Sequence, residues 1–127
     1  MTEEKVYLKE HVLKADKLLF DLPGQLAELR ADLPQNRDRR GITLVKEHGI
    51  TVVLTALKKG AQLAEHDTPG PATVQVIDGE VEMKVGGDNL RLGPGQIIAF
   101  DARVPHEVEA SSDAGILITV LSQEAAG

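Results

Sequence analysis

The sequence predicts an all-β domain preceded by one short helix. Three observations carry that prediction: short β-branched runs from Gly41 onward, turn residues between them about every eight to twelve positions, and clean apolar-polar alternation within a run. The runs are Ile42–Lys46, Ile50–Leu57, Gln62–His66, Thr73–Ile77, Glu80–Val85, Asn89–Leu92, Gln96–Phe100, His106–Glu109 and Ile116–Leu121. Nine short strands with no helical run between them mean a sandwich or a barrel.

The turns support the strand count. Glu47-His48-Gly49, Asp78-Gly79 and Gly86-Gly87-Asp88 each offer a residue that tolerates positive φ, so each is read as a hairpin that makes successive strands antiparallel neighbours. Pro94-Gly95 reads as a type II-like turn before the run to Phe100. In Glu80–Val85 the alternation puts Val81, Met83 and Val85 toward a core and Glu80, Glu82 and Lys84 toward water.

Ahead of the strands, Asp21 is a candidate N-cap, Pro23 suits a first turn, and Leu26, Leu29 and Leu33 recur at helical spacing until Pro34. This predicts an amphipathic helix over Pro23–Leu33. Earlier still, Val6, Leu8, Val12 and Leu13 fit an extended arm and a helix equally well. That arm is expected to cover a sheet edge or a second subunit.

Composition narrows the chemistry. The 127 residues contain no cysteine, which removes thiol nucleophiles and thiolate metal sites, so a metal would need imidazole, carboxylate or water. The charged start and the lack of a long apolar run predict a cytoplasmic protein with no membrane span. A net charge of −6 argues against nucleic acid, and Arg37, Arg39 and Arg40, interrupted by Asp38, read as a solvated linker. Aromatic residues are 2% of the chain, too few for a pocket that stacks on rings. No nucleophile elbow, phosphate-cradling loop or HExxH helix is visible.

Spacing then adds a resemblance. Gly60, five residues, His66, one, Thr68, three, Ala72, six, Gly79 keeps every interval of the first motif of the cupin superfamily. Gly95, five, Asp101, one, Arg103, two, His106, three, Ala110 keeps every interval of the second. The chain resembles the short single-domain cupins of prokaryotes, with a cupin 2-type conserved barrel. The resemblance implies a double-stranded β-helix, the RmlC-like jelly-roll or cupin barrel, over residues 41–122. The arm and helix of residues 1–40 would pack on it, and 123–127 would form a tail.

In metal-binding cupins two histidines and a glutamate of the first motif join the histidine of the second around one divalent ion. Here His66 and His106 match, while Thr68 and Ala72 stand at the other two positions. The implied ion (Fe, Mn, Ni or Zn) would have two protein ligands, fewer than the three that catalytic sites usually supply, which favours a barrel that is metal-free or binds metal weakly. Glu65 should face away from His66, and the Gln75 amide has opposite strand parity from Ala72 unless a bulge intervenes. His48 at a hairpin tip and His11 in the arm are set aside as surface residues.

The expected ligand pocket comprises His66, Thr68, Gln75, Phe100 and His106. The first functional expectation is a barrel that binds a small polar molecule. The alternative is a metal-dependent oxygenase or isomerase using His66 and His106, and a third is a structural or regulatory module with an acidic surface. The fold does not choose between enzyme and binder. A homodimer through strand edges and the arm is expected.

Overall fold

The computed structural model describes residues 16–122. Its elements are α1 (Leu22–Ala31), β1 (Arg39–Glu47), β2 (Ile50–Leu57), β3 (Gln62–His66), β4 (Ala72–Asp78), β5 (Val81–Val85), β6 (Asp88–Leu92), β7 (Ile97–Phe100), β8 (His106–Ala110) and β9 (Ala114–Leu121). The proposed arm positions Val6 to Leu13, with His11, and the tail 123–127 lie outside the described residues.

Two sheets form, in the orders β1-β2-β9-β4-β7 and β3-β8-β5-β6, with antiparallel pairings throughout. Their inner faces meet in the main core. Val74, Val76 and Ile116 of the first sheet and Val81, Met83 and Val108 of the second are buried in one cluster. Each is apolar and sits at the inward phase of its strand, so the two-residue period of the sequence becomes the layer.

The first sheet also buries part of its outer face, under α1. Asp21 caps the helix in extended conformation, its carboxylate accepting the Gly24 N–H at 3.3 Å, and Pro23 occupies the first turn. Leu26 and Leu29 pack on Leu44, Leu54 and Ala56. Gly115 lies beneath Leu26, and a Cβ there would run into that leucine's methyl groups, so its lack of a side chain is what lets the helix seat. The helix ends at Ala31, earlier than Leu33. Residues before Pro34 are pushed out of the α region, and Leu33 bonds only to the Arg30 carbonyl, at 3.3 Å.

Two other expectations need correction. Asp78-Gly79 is no hairpin: β4 pairs with β7 and β9, β5 pairs with β6 and β8, and the turn carries the chain from one sheet to the other. Among consecutive strands only β1–β2 and β5–β6 are paired neighbours, because a barrel of two sheets needs its tight turns at the crossings as well as in the hairpins. Arg39 and Arg40 do not lie in a linker either. They open β1, opposite Leu57 and Ala56.

The turn over Gly93–Gln96 behaves as read from the sequence. The Gln96 N–H bonds the Gly93 carbonyl at 3.0 Å and Gly95 has φ 86°, the type II arrangement. Among the described residues no helix is long and apolar enough to cross a membrane.

Candidate functional site

β3 and β8 lie side by side in the second sheet, and an irregularity in their register builds the site. Gln62 pairs with Glu109 and Leu63 with Val108, but the next pair is His66 with His106, so Ala64 and Glu65 together oppose Glu107. That is a β-bulge. In a regular strand His66 would face away from Leu63. The additional residue returns it to the inner face that Val108 and His106 share.

The two imidazoles meet edge to face, with ring centroids 4.2 Å apart and planes at 63°, and their Nε2 atoms are 3.1 Å apart. Each Nδ1 points at a backbone oxygen: Ala64 at 2.8 Å from His66, and Val104 at 3.1 Å from His106. A carbonyl can only accept, so both Nδ1 atoms carry the hydrogen and donate. In a neutral pair, two Nε2 lone pairs would then face each other. A proton on one Nε2, donated to the other, removes that repulsion.

The two rings sit in different surroundings. His66 is exposed, whereas His106 is 5% exposed and lies against Phe100, ring centroids 4.5 Å apart. Burial pushes the His106 imidazole below its ordinary pKa, and the neighbouring His66 charge acts in the same direction. The Val104 carbonyl and Asp67 oppose them.

Of the other expected pocket residues, Phe100 reaches the site, as a core side chain that forms its inner wall. Thr68 is next to it in sequence but its hydroxyl donates to the Gly70 carbonyl at 2.7 Å. Gln75 lies on the opposite face of β4: Ala72, Val74 and Val76 point inward and are buried, and Gln75 alternates with them, with no bulge to reverse it. It does not join the pocket. His48 is exposed at the β1–β2 turn.

Sequence reasoning passed over Arg103. Its N–H bonds the Thr68 carbonyl at 2.9 Å and its guanidinium lies 3.9 Å from the Asp67 carboxylate, which ties the loop before β8 to the loop after β3 beside the histidines. Arg103 is the one non-glycine residue with positive φ, 67°, among the described residues. The signal was available, since the second-motif spacing puts a glycine there. An L-residue in this region costs about 1 kcal/mol or more, so Arg103→Gly is expected to raise stability by about 1 kcal/mol, read as a higher urea midpoint at unchanged slope.

Comparison with known proteins now decides the family. The cupin domain pattern matches residues 53–121, more than half of the chain. The chain belongs to the cupin domain family. No curated protein matches it. Among solved structures, this cupin is similar to a conserved protein of unknown function from Streptococcus pyogenes, at 26% identity and TM-score 0.71, covering 88% of this chain and 92% of that one. It is also similar to an RmlC-like cupin from Shewanella frigidimarina, at 19% identity and TM-score 0.65, covering 75% and 86%. A salicylate 1,2-dioxygenase from Pseudoaminobacter salicylatoxidans shares the fold at 15% identity and TM-score 0.62, with 78% of this cupin matched to 31% of that chain.

The family raises the question of a metal. Two nitrogens bound at about 2.1 Å to one ion stand roughly 3.0 to 3.4 Å apart, and the His66 and His106 Nε2 atoms fall in that range at 3.1 Å. The remaining donors do not follow. Ala72 is a buried methyl, the Thr68 hydroxyl is turned to Gly70, and the described residues contain no cluster of three His, Cys, Asp or Glu side chains able to hold an ion. The residues of this cupin do not fit a tightly held divalent ion.

Proposed function

We propose that this cupin is a binding protein whose barrel mouth takes a small anion, such as a carboxylate, on the His66–His106 pair. The observation that carries the reading is the 3.1 Å approach of two Nε2 atoms whose Nδ1 partners are both backbone carbonyls. Such a pair is relieved by one proton between the Nε2 atoms, and among the described residues no carboxylate bonds either ring, Asp67 acting on His106 through its charge alone. An anion from solution would be drawn to that charge beside the exposed ring of His66, with the Arg103 guanidinium at the rim as its hydrogen-bond donor. Phe100 closes the inner side, which restricts the ligand to a small one.

Titration of 15N-histidine-labelled protein with malonate tests this. Selective shifts of the His66 and His106 ring nitrogens, lost in His66→Gln, are the expected result; shifts that survive in His66→Gln would remove the pair from the reading.

The Nε2 separation also favours a second reading, a metal-dependent oxygenase or isomerase that completes its ligand set with water. Metal analysis of untagged protein separates the two. About one Fe, Mn, Ni or Zn per chain, abolished by His66→Ala, would establish the enzyme reading in place of the binder.

A homodimer belongs to the same proposal. β7 is an edge strand with no outer partner among the described residues, and its Ile97 is 57% exposed. An open edge carrying an exposed apolar side chain is stabilised by pairing with a second copy. Sedimentation equilibrium of the full chain reads the mass directly, and a monomer at about 100 µM would refute the dimer.

A further inference from the structure

The arginines near the start of β1 do not stand alone once the chain is folded. Pairing of β1 with β2 sets Arg39 opposite Leu57, which brings the segment before β1 beside the β2–β3 turn at Lys58 and Lys59. The result is a groove of about 570 Å³ whose walls carry Arg37, Arg39, Lys58 and Lys59 against a single carboxylate, Asp38. Arg40, one step along the strand, faces the other way.

Among the described residues, three of those four cations have no carboxylate partner. Asp38 is taken by Arg39, with Nε–Oδ1 at 3.0 Å, and its carboxyl is held below the usual range by that hydrogen bond first, with the Lys58 charge contributing. Lys58 is fixed in place: its N–H bonds the Asp38 carbonyl at 2.9 Å and its ammonium donates to the Pro34 and Gln35 carbonyls at 3.3 and 3.5 Å. Asp113 bonds the Lys59 backbone N–H at 2.9 Å, not the ammonium. Arg37 and Lys59 form no ion pair among the described residues. On a chain of net charge −6, a concave site with this excess of cations is the opposite of the average surface.

We infer that this groove binds a small, multiply charged phosphate anion. Guanidinium forks match phosphate oxygens two at a time, and the lysine ammonium groups add point charges. The Gln35 and Asn36 amides on the same wall supply further donors. A groove of this size suits a diphosphate or triphosphate group, and the acidic remainder of the surface opposes a long polyanion. The site is independent of the histidines. It lies where β3 begins and β8 ends, whereas His66 closes β3 and His106 opens β8, a strand length of roughly 13 Å away.

Calorimetric titration of the full chain with inorganic pyrophosphate, at about 20 mM salt, is the test. The expected result is one site with a dissociation constant on the order of 10 to 100 µM. In the Arg37→Gln/Lys59→Gln variant it should weaken at least about tenfold, and Arg40→Gln, on the other face of β1, should leave it unchanged. Both altered groove residues are exposed and hold no tertiary side-chain bond among the described residues, so the variant should keep the wild-type circular dichroism spectrum. No binding by about 10 mM pyrophosphate would overturn the inference, as would equal binding by wild type and double variant. A single-stranded oligonucleotide bound more tightly than pyrophosphate at the same salt would overturn the small-anion assignment.

Discussion

Gly79→Ala is expected to lower unfolding stability by about 3 kcal/mol or more, seen as a large drop in the urea midpoint. Two independent costs add at this position. The backbone has φ 78°, a region in which an L-residue costs about 1 to 2 kcal/mol. A Cβ would also overlap the Asp113 carbonyl and press on Ala114, whose side chain is fully buried at the start of β9. Both clashing groups are main chain or core, so relief means moving the β8–β9 turn out of place, another 1 to 3 kcal/mol or so. Gly87→Ala is the control. Gly87 has φ 92° but nothing within 4 Å of its Cβ position, so it should lose only the conformational part. Equal losses for the two variants would show that the sheet-crossing turn is not sterically closed.

Acidification is expected to destabilise the fold through His106. Its folded pKa lies below 6.5, chiefly because of burial, so on lowering the pH the unfolded chain takes up this proton before the folded one does. Stability is therefore complete above the unfolded value, about 6.5, and is lost as the pH falls from there toward the folded one. The slope is at most about 1.4 kcal/mol per pH unit for one proton. His106→Gln should flatten this stretch while lowering stability near neutral pH, since the amide cannot reproduce the imidazole's contact with Phe100. Chemical denaturation at pH 8, 6.5 and 5 reads both effects. A wild-type slope retained in the variant would assign the acid sensitivity to another group.

Much of the fold was legible because period-two patterning and turn residues act locally. Val81 and Met83 faced inward as the alternation required, and Gly95 took the turn conformation that Pro94-Gly95 asks for. The pairing of strands distant in sequence was less so: nothing local in Asp78-Gly79 tells a hairpin from a passage between sheets, since both demand positive φ. The meeting of His66 and His106 came from motif spacing, which strand parity alone does not supply. Gln75 shows the complement, as a plausible donor whose parity turned it away. The basic groove was illegible for a simpler reason. Arg37 and Lys59 are far apart in sequence, and only the β1–β2 pairing makes them neighbours.

The orientation of His66 depends on counting residues more than on any attraction between side chains. Deleting Ala64 would let β3 run in step with β8 from Leu63 onward and leave the imidazole two places from Leu63, on the same face and still opposite His106. The bulge is thus how β3 absorbs one surplus peptide unit without parting the two rings, and a deletion variant that melts like the parent and keeps them together would show that alignment with β8, not the kink itself, is what assembles the barrel mouth.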